Sequence, residues 1–410
     1  MALCLRERTL DMELHIENNV LLGLKKDIAA PESCSLVVPD TVAEVAPKAF
    51  YGCAWLDELV IPGSVKKIGE KAFAKTGIIL LTLQEGVEEI GTAAFAHCGN
   101  LKQVTLPDSV RIISAQAFEG ADLDGIRLPA SLQEIGDEAF RVSFSCDTDS
   151  LYETVTDWDD ETQLIPYIED IVFPAGLKKI GVMAFLGLNC KKVVLPEGLE
   201  ELGKWAFHES DIQELVIPGS LKSITNGAFE ECAQLRSVQI STGVERICED
   251  AFAACKNLRE LNIQPGLKRI DGYAFRQCEA LEELILPEGL LILEDMAFHD
   301  CGSLKRVVFP GTLKSIGSDP HIPDIWPEEV TGDDFDRNEG VFSGCWSLRE
   351  IVIPEGVEKI GYLAFWDSGL SMTAAELPST MKKMHGKCGI EWGEEEWKKG
   401  MIWGEDYFVG

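Results

Sequence analysis

The chain has 410 residues, and its 37 basic and 69 acidic side chains give a formal net charge of −32. This charge argues against nucleic acids and anionic membrane surfaces as partners, because both would repel it. No apolar run approaches the roughly 18 to 20 residues of a membrane span, and residues 1–9 lack the basic start and apolar core of a signal peptide. We therefore expect a cytoplasmic protein.

The first element in chain order is a β-hairpin predicted over Met12–Leu24. Its two apolar arms flank Asn18 and Asn19, and asparagine tolerates the positive φ of a tight two-residue turn. We expect this hairpin to cover the open edge and the apolar end of the structure that follows it. The predicted capping element spans residues 1–28.

From about Pro39 onward the chain repeats a unit of 22 or 23 residues, most easily registered on its phenylalanine. The spacing widens to 45 residues after Phe140 and to 44 after Phe298. Each wide interval holds only one copy of the repeat signature, so we interpret both as insertions. The period predicts layers that are stable only when stacked. The thirteen predicted core phenylalanines are Phe50, Phe73, Phe95, Phe118, Phe140, Phe185, Phe207, Phe229, Phe252, Phe275, Phe298, Phe342 and Phe365.

Each repeat has two predicted halves. The first, Leu-x-x-Val-x-Leu-Pro, alternates apolar residues with a period of two, which predicts a short strand with one buried face. The proline lacks an N–H and therefore ends the strand. The second half carries a capping residue type, such as Gly69, Ser114 or Thr225, four positions before the phenylalanine. We interpret it as a single helical turn.

The repeat signature Ile-Gly-x-x-Ala-Phe-x-x-Cys followed by Leu-x-x-Val-x-Leu-Pro resembles the BspA-type, or Treponema-type, leucine-rich repeat family, over about Pro39 to Lys383. The resemblance implies an α/β solenoid, a right-handed superhelix with short parallel strands on one side and single helical turns or irregular segments on the other. It also implies protein binding or adhesion for many members, and no shared catalytic residues.

We accordingly expect one repeat array over residues 29–384 and a C-terminal element over residues 385–410. That last element holds Trp392, Trp397 and Trp403 among charged residues. Tryptophans rarely stay exposed in a disordered tail, so we expect a folded cap over the last layer. A short segment that binds a partner is the alternative.

The middle residue of each strand points to solvent if its neighbours point inward. Valine and isoleucine are frequent there, which strand propensity alone would explain. A continuous apolar stripe is also the kind of patch that a protein partner covers. The candidate partner-binding residues on the strands are Val172, Val194, Val216, Ile285 and Val308.

The two insertions, near residues 141–168 and 318–339, are rich in both acidic and aromatic residues. They are interpreted as solvated loops, as a contact surface for a basic protein partner, or as calcium sites, although neither has the spacing of an EF-hand loop. The candidate binding residues within them are Trp158, Asp159, Asp160, Trp326, Asp333, Asp334 and Phe335.

The two residues before the Ile of each repeat often change sign between layers, as in Lys66-Lys67 followed by Glu88-Glu89. Adjacent layers lie about 5 Å apart, so these residues predict ion pairs that hold the register of a solvated face. A site that reads charge specifically is the alternative.

The thirteen cysteines are odd in number and mostly placed by the repeat, which favours a reduced protein. Cys232, Cys255, Cys278 and Cys301 occupy consecutive layers. We expect buried packing residues, because a zinc site needs ligands that converge tetrahedrally and a ladder places them in a row. A metal or redox role for this ladder stays open.

The chain shows no Gly-rich phosphate loop, no His-Glu-x-x-His and no Gly-x-Ser-x-Gly. We therefore expect no enzyme, no catalytic or metal-binding residues, no cofactor and no small-molecule substrate. The predicted function is a scaffold that binds a protein through its strand face and its insertions. An exported surface adhesin of the same family is the alternative.

Overall fold

The computed structural model describes residues 13–25, 33–121, 126–142, 167–317, 340–361, 363–370, 379, 383–385 and 407–409. The chain divides into two compact units, Met1–Pro196 and Glu197–Gly410. Each unit is a β-solenoid, in which most described layers contribute one strand to a long-strand face and a two-residue strand to a short-strand face. The predicted bounds of the cap, the repeat array and the tail stay predictions.

In the first unit, the long-strand face consists of parallel strands that follow the predicted Leu-x-x-Val-x-Leu segments. Two groups are hydrogen-bonded in register. The first comprises β3 (Cys34–Val37), β5 (Leu56–Ile61), β7 (Leu80–Leu83) and β9 (Gln103–Thr105), and the second comprises β12 (Tyr167–Val172) and β14 (Asn189–Val194).

The short-strand face of the first unit begins with the predicted hairpin. Its strands β1 (Leu14–Glu17) and β2 (Val20–Leu24) pair antiparallel, and Asn18 and Asn19 have positive φ, as predicted. Strand β2 then pairs parallel with the first two-residue strand, so the hairpin covers the edge of this sheet. The two-residue strands are β4 (Glu44–Val45), β6 (Lys67–Ile68), β8 (Glu89–Ile90), β10 (Ile112–Ile113), β11 (Glu134–Ile135) and β13 (Lys179–Ile180).

The second unit repeats this plan. Its long-strand face holds β16 (Glu214–Ile217), β18 (Ser237–Ile240) and β20 (Glu260–Ile263), and β22 (Glu283–Ile285), β24 (Arg306–Val308) and β26 (Glu350–Val352). Its short-strand face holds β15 (Glu201–Leu202), β17 (Ser223–Ile224), β19 (Arg246–Ile247), β21 (Arg269–Ile270), β23 (Ile292–Leu293), β25 (Ser315–Ile316), β27 (Lys359–Ile360), β28 (Lys383–His385) and β29 (Tyr407–Val409). The last two strands pair antiparallel, and β28 pairs parallel with β27.

The phenylalanines form the predicted spine. All thirteen are buried. Neighbouring rings stack with centroids 5.2–5.5 Å apart in the first unit and 5.1–5.6 Å apart in the second. The spine confirms that each layer buries its apolar face against its neighbours.

The two long intervals are insertions, as predicted. Phe140 stacks on Phe185 at 5.2 Å, and Phe298 stacks on Phe342 at 5.6 Å. The strands on either side pair directly as well, because β11 pairs with β13 and β24 pairs with β26. Layers that flank an insertion therefore contact each other as any two neighbours do.

The predicted helical turn before each phenylalanine is wrong, and the described residues contain no helix. The backbone N–H of Phe252 donates to the carbonyl oxygen of Ala274 in the next layer, at 2.8 Å. The N–H of Ala253 donates instead to Asp250 within its own layer, at 3.0 Å. Alternate N–H groups thus leave the layer, whereas a helix would keep all of them within it. The residues two before and two after the phenylalanine accordingly adopt left-handed φ in most layers, as at Asp250 and Ala254.

The small residue that we interpreted as a helix cap has a different role. A methyl group on Gly69 would lie 2.5 Å from the carbonyl oxygen of Val45, and one on Gly91 would lie 2.3 Å from that of Ile68. Glycine is therefore needed at these two positions, where the backbones of adjacent layers come together. Where threonine replaces it, the Thr225 hydroxyl donates to the carbonyl oxygen of Gly203 in the preceding layer.

Candidate interaction surfaces

An apolar column crosses the long-strand face of the second unit. Ile285 pairs in register with Val308, and Val308 pairs with Val352. Ile285 is 57% exposed, Val352 is 74% exposed, and Val308 between them is half-buried. The residues before and after each of them in the chain are buried, except Ile351, which is half-buried. These three side chains therefore form one apolar strip on the outer surface.

The other candidate residues on the strands, Val172, Val194 and Val216, differ in their exposure and in their neighbours. In the first unit, Val172 is 76% exposed and pairs with Val194, which is also exposed. Val216 in the second unit is half-buried and faces the polar side chain of Gln239. The structure thus brings Val172 and Val194 together, and Ile285 and Val308 together, whereas Val216 begins no apolar column with the next strand.

A charged column runs beside the apolar strip of the second unit. Arg306 lies between Glu283 and Glu350, its Nη1 donating to Glu283 at 2.5 Å and its Nε to Glu350 at 3.2 Å. One step further along, Lys305 pairs with Glu282 at 2.7 Å. These pairs neutralise much of the local charge beside the strip.

The short-strand face carries the predicted ion pairs between layers. Lys67 pairs with Glu89 at 2.8 Å, and Lys268 pairs with Glu245 at 2.6 Å. Both pairs are solvent-exposed, where each contributes about 0.2 to 1 kcal/mol. This arrangement supports the interpretation that they hold the register.

One buried carboxylate on this face was not predicted as part of a network. Asp271 accepts from Arg246 at 2.6 Å and from Arg269 at 2.7 Å, and Arg269 also binds Glu294 at 2.6 Å. Asp271 occupies the slot that holds glycine in other layers and is only 5% exposed. Two arginines compensate for the loss of hydration of this carboxylate, so the network links three adjacent layers.

The thiols of the cysteine ladder form hydrogen bonds between adjacent layers. Each thiol donates to the carbonyl oxygen of the phenylalanine in the preceding layer, for example Cys232 to Phe207 at 3.1 Å and Cys255 to Phe229 at 3.2 Å. Burial raises the pKa of Cys232 to about 12. A metal or redox role needs the thiolate, and in the described part of the chain no three His, Cys, Asp or Glu side chains converge to hold a metal.

The turns that carry the phenylalanines form a third side of each unit, the turn side. In the second unit this side brings His208, Glu230, Asp250 and Arg276 together. Glu230 lies 3.8 Å from the Nδ1 of His208. Burial raises the pKa of Asp250 to about 6, and the neighbouring Glu230 adds to this effect. Asp250 therefore binds a proton more readily than a solvated aspartate does.

Three exposed tryptophans of the second unit were missed by sequence reasoning, and one of them, Trp205, lies two residues before a repeat phenylalanine. Trp346 follows the cysteine slot and Trp366 follows the last repeat phenylalanine, both at positions where the repeat has no fixed residue. A large aromatic side chain at a position that varies from repeat to repeat is the sequence feature that could have identified them. The insertion residues Trp158, Asp159, Asp160, Trp326, Asp333, Asp334 and Phe335 lie outside the described residues.

Within the described residues, no helix is long and apolar enough to cross a bilayer. Layers of short parallel strands on a phenylalanine spine, one per repeat of 22 or 23 residues, define a leucine-rich repeat protein. A family model for the BspA type leucine rich repeat region, of six copies, matches residues 32–146, 164–282, 226–320 and 336–388. The chain belongs to this family.

Solved structures are similar to this chain as well. A leucine-rich repeat protein from Bacteroides ovatus is 20% identical, with 95% of this chain and 100% of that chain covered and a TM-score of 0.58. A leucine rich cell surface protein from Faecalibacterium prausnitzii is 29% identical, with coverages of 60% and 77% and a TM-score of 0.34. The pneumococcal vaccine antigen PcpA is 19% identical, with coverages of 94% and 91% and a TM-score of 0.43. No curated protein matches the chain.

Proposed function

We propose that this protein is a non-catalytic scaffold that binds a protein partner through its long-strand face, with the strip formed by Ile285, Val308 and Val352 as the main contact. The observation that carries this proposal is the alignment of the three apolar side chains in register on adjacent strands, exposed on a surface whose charges are already paired. Family membership supports the coarser statement that the chain is an interaction or surface repeat scaffold.

The rigidity of the strip favours binding. Its strands are paired on both sides of Val308, so these side chains lose little backbone freedom when a partner docks. Covering a valine or isoleucine fully is worth roughly 1.5 to 3 kcal/mol. Three of them can therefore form the centre of an interface.

Affinity capture from native lysate with quantitative mass spectrometry tests the proposal. The bait is the full chain, compared with the double variant Ile285→Asp/Val352→Asp. A carboxylate at the centre of an apolar contact costs several kcal/mol when it is buried without a partner, so we expect the variant to recover less than about a tenth of the partner. Recovery of the same proteins in the same amounts would refute the proposal.

The chain provides a matched control for this experiment. Gln239 and Asn262 occupy the same strand position in adjacent layers, pair in register, and are polar and exposed. The variant Gln239→Asp/Asn262→Asp adds the same charge to the same face without removing an apolar side chain. Recovery of the partner by this control, with loss in the first variant, identifies the strip as the contact.

The first unit offers a smaller second contact, the pair Val172 and Val194. We expect Val172→Asp to weaken partner recovery less than the change at the longer strip does. The aromatic and acidic insertion residues named from the sequence extend the proposed surface, and deletion of residues 145–163 or of residues 319–336 tests each separately. Unchanged recovery after a deletion removes that insertion from the proposed interface.

The proposed compartment is the cytoplasm. Eight described cysteines are free thiols, and all of them except Cys53 are buried: Cys53, Cys98, Cys232, Cys248, Cys255, Cys278, Cys301 and Cys345. Unpaired cysteines in this number are the state that a reducing compartment maintains. Cell fractionation measures the compartment, and thiol labelling of the unfolded protein measures whether its cysteines are reduced. Protein found in the exported fraction, with labelling lost until a reductant is added, would favour the adhesin alternative.

A further inference from the structure

The second unit holds an exposed aromatic and acidic patch that the strand-face proposal does not use. Trp346 is 57% exposed and Trp366 is 53% exposed. The two residues lie in adjacent layers, whose phenylalanines Phe342 and Phe365 stack at 5.6 Å. Tryptophan is costly to leave in water and is the residue type most enriched at interface hot spots.

Trp346 is held in place by its neighbours. A methyl group on Gly302, in the preceding layer, would lie 2.9 Å from the indole ring, so the ring covers this glycine. In the following layer, Asp367 accepts a hydrogen bond from the indole Nε1 at 3.3 Å. A side chain that is both fixed and exposed is preorganised for contact, because little further freedom is lost on binding.

The carboxylates around these rings favour a cation. Asp367 is exposed, lies directly after Trp366 in the chain and is bound to Trp346. Asp300 occupies the equivalent position two layers before Asp367. Its Oδ1 rests against Gly344 of the layer between them, and its Oδ2 lies 3.2 Å from the Nε2 of His299. Aromatic faces with carboxylates beside them are the environment that a guanidinium or ammonium group prefers.

The nearest described cation does not occupy this place. Arg349 donates through Nη1 to the carbonyl oxygens of Trp346 and Leu348, at 2.7 and 2.8 Å, so its guanidinium is held on the backbone. No cation in the described part of the chain forms an ion pair with Asp367. The formal net charge of −32 also attracts positively charged segments over a longer range and repels a second copy of the chain.

We propose that the patch formed by Trp346, Trp366, Asp367 and Asp300 binds an arginine- or lysine-bearing segment of a basic protein partner. The arginine or lysine stacks on an indole face and pairs with Asp367, and the segment runs along the layers toward Asp300. This inference concerns a surface separate from the strand strip, and it holds whether or not the strip binds the same partner.

Fluorescence anisotropy tests the proposal with a fluorescein-labelled peptide of four arginines separated by glycines, titrated with the full-length protein at 150 mM salt. A cation on an exposed indole is worth about 0.5 to 1 kcal/mol, and each 1.4 kcal/mol changes affinity tenfold. We therefore expect Trp346→Ala and Trp366→Ala each to weaken binding about two- to fivefold, and the double variant to weaken it about tenfold. The variant Trp346→Phe, which keeps an aromatic face, should stay within about twofold of the unchanged protein.

The controls separate this patch from general attraction to an acidic protein. Trp205 is an exposed tryptophan in other layers, and its Nε1 donates to Glu230. That carboxylate already lies 3.8 Å from His208, so it is less available to an added cation than Asp367 is. Trp205→Ala should bind the peptide as the unchanged protein does. A peptide with neutral citrulline in place of arginine should bind at least about tenfold more weakly.

Two results would overturn the proposal. One is equal affinity of the unchanged protein and the double tryptophan variant for the arginine peptide, with both proteins showing the same thermal midpoint. The other is equal affinity for the arginine and citrulline peptides. Ile285→Asp/Val352→Asp should bind the arginine peptide normally, so a failure of the strand-face proposal is seen separately, in the capture experiment.

Discussion

Removing one ring from the phenylalanine spine should destabilise the protein strongly. Phe252 is fully buried and stacks between Phe229 and Phe275, at 5.4 and 5.1 Å. The change Phe252→Ala loses roughly 2 to 3 kcal/mol of transfer free energy. It also leaves a cavity of roughly 100 Å³, which at about 24 cal/mol per Å³ costs roughly 2 kcal/mol more. The expected loss in free energy of unfolding is therefore about 4 to 5 kcal/mol.

Equilibrium urea unfolding, followed by far-ultraviolet circular dichroism, measures this loss. Phe365 is the matched comparison, because it ends the described spine and stacks only on Phe342, at 5.6 Å. We expect Phe365→Ala to lose about half as much as Phe252→Ala. The volume-conserving change Phe252→Leu should cost less than about 2 kcal/mol.

The comparison between the middle and the end of the spine is the decisive part. If Phe252→Ala lost less than about 1 kcal/mol, the ring would not be part of a well-packed core. If Phe365→Ala lost as much as Phe252→Ala, stacking against two neighbours would make no difference. Either result would refute the idea that layers are stable because they share this spine.

Three further changes test other parts of the fold. Asp271→Ala removes the carboxylate that two partly exposed arginines share, and we expect it to lower the free energy of unfolding by about 1 to 2 kcal/mol in urea melts. Gly91→Ala places a methyl group against a carbonyl oxygen of the preceding layer, and we expect the thermal midpoint to fall, with no such fall for Gly99→Ala, where the added methyl group meets no atom within 4 Å. In the folded protein the pKa of Asp250 is raised to about 6 by burial and by the neighbouring Glu230, whereas an aspartate in the unfolded chain has a pKa of about 4. The folded state therefore binds this proton more tightly, and that stabilisation, complete below about pH 4, is lost as the pH rises through about 6. Asp250→Asn, which keeps a residue that tolerates left-handed φ, should therefore match the unchanged protein near pH 4 and exceed it in urea midpoint above pH 6; a difference that does not change with pH would contradict this reasoning.

The sequence predicted the layers well because they depend on one period. The spacing of the phenylalanines established the stack, and the two wide intervals near Phe140 and Phe298 could be assigned as insertions from the count of strand signatures alone. The hairpin was also predictable, since Asn18 and Asn19 report a local turn. Each of these features is determined by residues close together in the chain or by exact repetition.

The helical turn was predicted wrongly because its evidence was local. A glycine or threonine four residues before Ala-Phe has the composition of a helix start. What prevents a helix is the neighbouring layer, whose carbonyl oxygens accept alternate N–H groups, as Ala274 accepts from Phe252. A single repeat does not contain that information, and the need for glycine at the close approach of two backbones is likewise invisible within one unit.

The sequence was enough to place the candidate residues on the long strands, but it was not enough to predict how far each side chain is exposed. Val172 and Val216 occupy the same slot, yet one is mostly exposed and the other is half-buried. The difference depends on side chains in adjacent strands, such as Gln239 beside Val216. Trp346 was not identified because its slot varies freely, and its role depends on Gly302 and Asp367 in two other layers.

The direct contact between the layers that flank each insertion has a consequence for how this molecule can change. Because the flanking layers pair directly, their contact does not depend on the length or composition of the segment inserted between them. Residues 143–166 and 318–339 are therefore positions where one inserted segment can be exchanged for another. The layers on either side of each insertion would retain their register, so the inserted segment could change without any change in the repeats.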